Sequence, residues 1–175
     1  MASQGQRLFF ALWPEAPVSE ALVALQQRHA QSPARPSHPL DLHLTLAFLG
    51  AVAPQHLPCL LEMAAAIRTP PFVLELSRIG SWRKPNILWA GPAATPAPLL
   101  ELVNALNHGL RGCGLTPEDR AYRPHVTLAR KGAALERQTL EGFPRWPVTE
   151  FVLASSGGAS SANRYRVLKK WSLDS

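Results

Sequence analysis

Two eight-residue stretches, HLTLAFLG at His43–Gly50 and HVTLARKG at His125–Gly132, decide the fold of this 175-residue chain. Both run in the order histidine, aliphatic residue, threonine, leucine, alanine, and both reach glycine at the eighth position. They lie about half the chain length apart, and strand-like and helix-like segments flank each of them. This repetition predicts an internal duplication, with two topologically similar lobes related by an approximate two-fold axis.

Each repeat is typical of a β-strand, whose side chains alternate between two faces. The apolar members of the first repeat share one face, which we expect to be the core face: Leu42, Leu44, Leu46 and Phe48. The opposite face is shared by His43, Thr45 and Ala47. We therefore expect Phe48 to serve in core packing, and contact with a nucleobase is the alternative for this side chain.

An imidazole and a hydroxyl lie two residues apart in each repeat, about 6–7 Å along an extended strand. A cleft between two such lobes would hold His43 and His125 as an acid–base pair, since an imidazole works in either protonation state near neutral pH. The hydroxyls of Thr45 and Thr127 are suited to donate hydrogen bonds to the oxygens of a phosphate. This chemistry needs no metal or other cofactor, and the residues alone leave open which histidine donates the proton.

Three further residues near the second repeat are candidates for contact with an anionic substrate. Arg130 lies on the face opposite His125 if the strand is regular, whereas a bulge at the strand end would place it beside a phosphate. Tyr122 and Arg123 precede the repeat in a loop, from which they could contact a nucleotide, although simple exposure is the commoner fate of loop residues. Both alternatives stay open for each of the three.

The rest of the chain alternates between short apolar runs and amphipathic segments, which predicts a single α/β (α+β) domain over residues 1–175. We predict strands at Arg7–Trp13, Leu42–Leu49, Phe72–Ile79, Ile87–Ala90, His125–Arg130, Val148–Ala154 and Tyr165–Trp171. We predict helices at Pro17–Gln31, Pro54–Ile67, Leu99–Leu110 and Ala134–Leu140. The small and polar residues of Ser155–Asn163 predict a flexible connection between the last two strands.

The chain is basic, with 18 Lys and Arg residues against 12 Asp and Glu, a formal net charge of +6 and an isoelectric point near 10.0. This charge favours an anionic partner such as nucleic acid. Cys59 and Cys113 form no CxxC pair, which argues against a disulfide framework or a thiolate zinc site and favours reduced thiols. No apolar run is long enough to cross a bilayer and the N-terminus lacks a secretory signal. We expect a cytoplasmic protein and a monomer.

The paired motifs HLTL at His43–Leu46 and HVTL at His125–Leu128 resemble the two signature H-x-T-x motifs of the 2H phosphoesterase superfamily. The closer resemblance is to the bacterial RNA 2′,3′-cyclic phosphodiesterases, also called 2′-5′ RNA ligases, and it covers essentially the whole chain. It extends to the segments RLFFAL, YRPHVTLAR and RYRVLKKWSL and to the region Trp82–Trp89. The resemblance implies a bilobal fold, in which two pseudo-symmetric lobes turn antiparallel sheets toward a central basic cleft and carry helices on the outside.

The resemblance also implies metal-independent hydrolysis of a terminal 2′,3′-cyclic phosphate on RNA to a 2′-phosphomonoester. His43 would donate a proton to the leaving 3′ oxygen and His125 would accept one from the attacking water, while the motif threonines hold phosphate oxygens. Joining of RNA ends through a 2′-5′ bond would use the same histidines, with an RNA 5′-hydroxyl in place of water. Arg130 and Phe48 are the remaining candidates for substrate contact. The chain departs from the usual Glu-Asn or Trp-Asn lead-in to the first motif at Leu40-Asp41.

Two other functions stay open on this evidence. The basic charge is also typical of a non-catalytic RNA-binding module, whose affinity would fall with rising salt concentration. Within the same superfamily, the substrate could instead be small, either a nucleoside 2′,3′-cyclic phosphate or a 2′-5′ oligonucleotide.

Overall fold

The computed structural model describes residues 5–31, 33–157 and 163–174, which form eleven strands and three α-helices. The strands are β1 (Gln6–Leu12), β2 (Arg35–Pro36), β3 (Leu44–Val52), β4 (Phe72–Leu74), β5 (Arg78–Arg83), β6 (Asn86–Gly91), β7 (Val126–Arg130), β8 (Gln138–Thr139), β9 (Trp146–Val148), β10 (Glu150–Ser156) and β11 (Tyr165–Ser172). The helices are α1 (Val18–His29), α2 (Leu57–Ala65) and α3 (Ala97–Gly112). None of these helices is long and apolar enough to span a bilayer.

Nine of the described strands form one antiparallel sheet in the order β11-β10-β1-β3-β7-β6-β5-β8, with β2 paired to β7. The two repeats of the sequence supply the central neighbours β3 and β7, which pair through Leu44 and Val126. The order is symmetric about this junction, because β1, β10 and β11 extend from β3 as β6, β5 and β8 extend from β7. The mixed α/β class and the two similar lobes predicted from the repeat are confirmed.

Each long helix packs against the repeat strand of the other lobe. Helix α1 follows β1 in the chain but packs against β7, and α3 follows β6 but packs against β3. Gln26 on α1 donates its buried side-chain amide to the carbonyls of Ser37 at 2.9 Å and Leu128 at 2.8 Å, which fixes α1 to β7. This crossing buries one face of the central strands in the main core. The opposite face of β3 and β7 is left to form the cleft.

Two segments differ from the prediction made from sequence. Residues 134–140 are not a helix, since Leu135 and Leu140 hydrogen-bond through their backbone to Ser81 and Ser77, and β8 pairs with β5 between them. The free edge of β5 offers backbone partners, whereas a helix this short is unstable by itself. The strand predicted at Phe72–Ile79 is split, because β4 pairs with β9 in a separate two-stranded sheet.

Cys59 and Cys113 are joined by a disulfide, so the prediction of two reduced thiols is wrong. Cys59 lies on α2 and Cys113 caps the C-terminus of α3, with their Cα atoms 5.8 Å apart. The helices approach closely at Gly109, where a Cβ atom would lie 2.5 Å from Met63 Sδ. This packing brings together two cysteines that are 54 residues apart in the sequence. Their spacing along the chain does not indicate that they are close in the fold.

Candidate active site

The histidines of the two repeats stand at equivalent places, directly before β3 and β7. His43 Nδ1 lies 2.6 Å from the carbonyl oxygen of Asp41, and His125 Nδ1 lies 2.8 Å from that of Arg123. Because a carbonyl oxygen only accepts, Nδ1 carries the proton in each neutral ring and donates it to the carbonyl. Nε2 of each ring is therefore the nitrogen that can exchange protons with a ligand. In the first lobe it lies 3.1 Å from the hydroxyl oxygen of Thr45.

A β-bulge in each repeat strand turns the fifth residue after the histidine toward the cleft. Leu46 has no counterpart in the pairing of β3 with β1, and Leu128 has none in the pairing of β7 with β6. One extra residue reverses the alternation of side chains beyond the bulge. Phe48 and Arg130 therefore share the face of the two histidines.

The regular alternation expected from the sequence is wrong from Ala47 onward. Ala47 is buried in the core, whereas Phe48, which was expected in the core, is 38% exposed on the cleft side. For Arg130, the bulge places the side chain on the face of His125, and its contact with a phosphate stays a prediction. Its guanidinium lies close enough to His125 for its charge to lower the pKa of that imidazole.

His43 is packed among three aromatic side chains. The centroid of its ring lies 4.8 Å from that of Trp13, 4.9 Å from that of Phe9 and 5.0 Å from that of Tyr165, with the Trp13 ring stacked on the imidazole. This burial lowers the pKa of His43 from 6.5 to about 4, against the opposing effect of the carbonyl bond and charge of Asp41. The imidazole is therefore uncharged at neutral pH when no ligand is bound.

Asp41 anchors both His43 and the start of β11. The backbone carbonyl of Asp41 accepts the hydrogen bond from His43. The buried carboxylate of the same residue accepts hydrogen bonds from the backbone N–H of Arg164 at 2.8 Å and of Tyr165 at 3.2 Å. The side-chain amide of Asn163 donates a third bond at 3.2 Å. One residue thus fixes the imidazole and the aromatic ring that packs on its edge.

Replacing Asp41 by alanine should destabilise the protein by about 2–3 kcal/mol, because two backbone donors and an amide lose a charged, buried acceptor. Urea denaturation measures this change as a lower midpoint with an unchanged slope. Asp119→Ala is the matched control, since Asp119 is exposed in a loop and its removal should leave the midpoint in place. A wild-type midpoint for Asp41→Ala would contradict the anchoring role.

His125 has more basic surroundings than the first histidine. The ring of Trp82 lies edge-on to it, with centroids 4.6 Å apart. Burial lowers the pKa of His125, and the charges of Arg130 and Arg120 lower it further, while the hydrogen bond to the Arg123 carbonyl raises it. Both imidazoles of the cleft thus favour the neutral form when no anion is present.

Two cavities flank the segment from Thr45 to Phe48, one beside each histidine. The His43 pocket has a volume of about 580 Å³, and its lining includes Arg7, Phe9, His43, Asn163, Arg164 and Tyr165. The His125 pocket has a volume of about 930 Å³, and its lining includes Trp82, Arg83, Lys84, Arg120, Tyr122 and Arg123. Thr45 and Phe48 line both cavities. A ligand held at Thr45 can therefore extend into either pocket.

Comparison with known proteins agrees with this arrangement. A family model described as LigT like phosphoesterase matches residues 12–89 and 91–159. The chain belongs to the LigT-like phosphoesterase family. It is 36% identical over 173 residues to the RNA 2′,3′-cyclic phosphodiesterase of Escherichia coli (strain K12), covering 98% of both chains. It is 31% identical over 180 residues to the protein of that name from Thermus thermophilus, covering 95% of this chain and 90% of the other.

Solved structures share the fold of this LigT-like phosphoesterase. Escherichia coli LigT in its apo form matches with a TM-score of 0.89 at 35% identity, over 99% of this chain and 100% of the other. The same protein complexed with 3′-AMP matches with a TM-score of 0.88 at 34% identity, over 97% and 98% of the two chains. The predicted fold class and the resemblance to the 2H phosphoesterases are confirmed.

Four predicted residues line the two cavities of this LigT-like phosphoesterase: His43, Thr45, Phe48 and His125. Strand register places the other two, Thr127 and Arg130, on the same face of β7 as His125. Thr127 lies two residues beyond its histidine and pairs with Trp89 of β6. Tyr122 also joins the two lobes, because its hydroxyl donates a hydrogen bond of 2.8 Å to the carbonyl of Thr45. Burial raises the pKa of this phenol, which keeps it a donor.

Four residues around the imidazoles were not among the candidates drawn from sequence: Trp13, Asp41, Tyr165 and Trp82. Trp13 directly follows β1 and Tyr165 begins β11, so only the pairing of strands brings them to His43. An aromatic residue at a strand end serves equally well in packing, and the sequence therefore gives it no separate signal. The unusual lead-in at Leu40-Asp41 is the one local sign of the anchoring carboxylate.

Proposed function

We propose that this chain hydrolyses the terminal 2′,3′-cyclic phosphate of RNA to a 2′-phosphomonoester, with His43 as proton donor and His125 as proton acceptor. The observation that carries this proposal is the pair of imidazoles held alike through Nδ1, which leaves Nε2 of each for proton transfer. A positive charge on His125 lowers the pKa of His43, so the pair favours one proton over two. Concerted acid–base catalysis uses that singly protonated state. The names of the relatives in Escherichia coli and Thermus thermophilus support the substrate.

In the proposed reaction the phosphorus atom lies between the two histidines. His125 Nε2 takes a proton from water as the water oxygen bonds to phosphorus. The bond between phosphorus and O3′ breaks, and His43 Nε2 gives its proton to O3′, so the phosphate stays on O2′. The hydroxyls of Thr45 and Thr127 donate to the non-bridging oxygens, and Arg130 adds positive charge beside them.

The nucleoside that carries the phosphate is expected in the His43 pocket. An in-line displacement places the attacking and leaving oxygens on opposite sides of phosphorus, so the nucleoside lies on the side of the proton donor. That cavity, of about 580 Å³, has room for one nucleoside. Phe48 offers a stacking surface to the base, and the Arg7 guanidinium lies 5.4 Å from the centroid of its ring.

The test of the proposal is incubation of the purified protein with an RNA oligonucleotide that ends in a 2′,3′-cyclic phosphate. We expect conversion to a phosphomonoester, which alkaline phosphatase removes, whereas the cyclic diester resists it. EDTA should not lower the rate, since the proposed steps use only the side chains named above. RNA that binds but stays unaltered at high protein concentration would instead support a non-catalytic RNA-binding module.

A phosphodiesterase for small 2′,3′-cyclic nucleotides is the second candidate, favoured by the His43 pocket because its volume suits a single nucleoside. Competition between an oligonucleotide and a nucleoside 2′,3′-cyclic phosphate in one mixture gives the ratio of their kcat/KM values. A ratio well above one in favour of the oligonucleotide supports RNA as the substrate. A ratio at or below one supports the small molecule.

When an anion binds in the cleft, the protein should take up a proton from solution. His43 is neutral in the free protein down to pH about 4, and an anion beside Nε2 favours the imidazolium, so binding raises this pKa. Affinity for sulfate should therefore increase as pH falls toward about 4, the pKa of His43 in the free protein, and level off below it. Calorimetric titration in two buffers of different ionisation enthalpy measures the uptake. His43→Ala is the matched variant that should lower the uptake to the share of His125, whose pKa is also lowered in the free protein. No uptake by the wild-type protein would contradict the altered pKa of His43.

We also propose that residues 1–175 form one bilobal domain and that the protein is a monomer. We propose that it acts in the cytoplasm, on RNA that ends in a cyclic phosphate. The formal net charge of +6 supports the anionic partner. The disulfide between Cys59 and Cys113 is the observation against which the cytoplasmic location must be tested, because a reducing compartment keeps thiols free. Sedimentation equilibrium tests the monomer against its mass of 19.1 kDa, and titration of free thiols in protein isolated under alkylating conditions tests the compartment.

A further inference from the structure

Two arginines line the His43 pocket without a carboxylate to pair with. Arg7 lies on β1 and Arg164 directly precedes β11, and both residues are exposed. Among the residues that the structure describes, the lining of this pocket contains no Asp or Glu, and neither arginine forms an ion pair. Because the imidazole of His43 is neutral in the free protein, these two guanidinium groups give the pocket its positive charge.

The nucleoside that occupies this pocket in the proposed reaction does not need that charge. A base and a ribose are uncharged, and the reactive phosphate lies between the two histidines, where Thr45, Thr127 and Arg130 hold its oxygens in the proposed complex. An unpaired guanidinium group favours an anion, and its planar set of donors matches the oxygens of a phosphate. The two arginines therefore suit a second phosphate, distinct from the one that reacts.

Strand register gives the distance between the two phosphate positions. Thr45 pairs with β1 four residues beyond Arg7, an interval of about 13 Å along that strand. Arg7 and Tyr165 both pair with Ser156, so the three residues form one row across β1, β10 and β11. Arg164 directly precedes Tyr165 in that row. Because the arginine side chains span part of this interval, the remaining distance is on the order of one nucleotide.

Each arginine is held at a defined point of the pocket. The backbone N–H of Arg164 donates a hydrogen bond of 2.8 Å to the buried carboxylate of Asp41. The guanidinium of Arg7 lies 5.4 Å from the centroid of the Phe48 ring, the stacking surface proposed for the base. In an RNA chain, the next anion along the strand from that nucleoside is the phosphodiester on its 5′ side.

We propose that Arg7 and Arg164 bind the phosphodiester on the 5′ side of the terminal nucleoside, and that this contact selects an RNA end over a free nucleoside 2′,3′-cyclic phosphate. This inference rests on the proposed function, which places the terminal nucleoside in the His43 pocket. A free nucleoside 2′,3′-cyclic phosphate carries an uncharged 5′-hydroxyl at this place, so both guanidinium groups stay without an anion when it binds. The contact therefore separates the two candidate substrates, RNA and the small cyclic nucleotide.

The experiment uses two substrates that differ by one phosphate. A nucleoside 2′,3′-cyclic phosphate is compared with the same compound carrying a 5′-phosphate, and the ratio of their kcat/KM values is the gain from that group. We expect a gain of about tenfold or more in the wild-type protein and of about one in Arg7→Gln/Arg164→Gln. The change should lie in KM, because the contact is the same before and during the chemical step. The ratio is taken within each protein, so a general loss from a displaced Phe48 cancels.

Two controls assign the gain to this phosphate. Arg28→Gln/Arg111→Gln removes the same charge from exposed positions that line neither pocket, and it should keep the wild-type gain. A dinucleotide that ends in a cyclic phosphate and has an uncharged methylphosphonate linkage should react less well with the wild-type protein than the natural dinucleotide, and equally well with Arg7→Gln/Arg164→Gln. For the natural dinucleotide, the slope of log kcat/KM against log salt concentration should be shallower by about 0.7 in this variant, the value for one phosphate.

Two results would overturn the inference while the proposed function stands. One is hydrolysis of both compounds by the wild-type protein with no gain from the 5′-phosphate. The other is a gain that Arg7→Gln/Arg164→Gln keeps. Loss of that gain in Arg83→Gln/Lys84→Gln would then place the RNA chain in the His125 pocket, which these two residues line. If the folded wild-type protein hydrolyses neither compound and no RNA that ends in a cyclic phosphate, the proposed function fails together with the inference.

Discussion

Alanine at His43 or at His125 should lower kcat for cyclic-phosphate hydrolysis by about 10²-fold or more, because each variant lacks one of the two proton transfers. RNA binding should survive, since Thr45, Thr127 and Arg130 are unchanged and would still contact the phosphate in the proposed complex. Single-turnover rates at saturating protein separate the chemical step from binding. The two losses should not add in the double variant, because the histidines act as one unit.

His108→Ala is the matched control for this pair, since His108 is an exposed imidazole on α3 that lines neither pocket. Its rate should equal that of the wild-type protein. Thermal unfolding of each variant shows whether the fold is kept, which matters most for His43 because three aromatic rings pack around it. A loss of RNA affinity equal to the loss of rate would contradict the acid–base roles and would indicate recognition or folding instead.

Thr127→Val should lower kcat by about 10²-fold, the effect expected when one hydrogen-bond donor to the developing charge is removed. Valine keeps the shape of the side chain and removes only the hydroxyl, and β7 should fold unchanged around it. The expected loss lies in kcat, because the bond strengthens as charge builds on the phosphate oxygens.

Thr127→Ser is the control that keeps the hydroxyl, and its kcat should stay within about threefold of the wild-type value, well below the loss expected for the missing donor. Steady-state kinetics on the same oligonucleotide measure both variants. A wild-type kcat for Thr127→Val, or an equal loss in both variants, would contradict the role of the hydroxyl and assign the position to packing.

The lobes could be predicted from sequence because two strands repeat one pattern, and a repeated pattern specifies the same local structure twice. The order of strands in the sheet could not be predicted from sequence. The pairing of Leu44 with Val126 at its centre depends on which edges of the two lobes meet. The segment at residues 134–140 has a composition that suits a helix, yet the open edge of β5 determines its structure. The disulfide between Cys59 and Cys113 follows from the packing of α2 on α3, which spacing in the chain does not encode.

The candidate site could be predicted only as far as regular alternation holds. The rule of alternating side chains placed His43 and Thr45 correctly on one face. It failed at Phe48, because the bulge inserts one extra residue at Leu46, which composition does not indicate. The same bulge in the second lobe turns Arg130 toward His125. The aromatic packing that lowers the pKa of His43 is contributed by distant strands, so the sequence showed a histidine of ordinary pKa.

The central claim is that water attacks phosphorus on the side of His125 while the bond to O3′ breaks. The most direct measurement is the reaction of RNA ending in a 2′,3′-cyclic phosphate in ¹⁸O-labelled water with EDTA, with the product read by ³¹P NMR and mass spectrometry. We predict a single product, the 2′-phosphomonoester, in which one labelled oxygen is bound to phosphorus. A 3′-phosphomonoester, or an unchanged cyclic phosphate with folded protein, would contradict the claim.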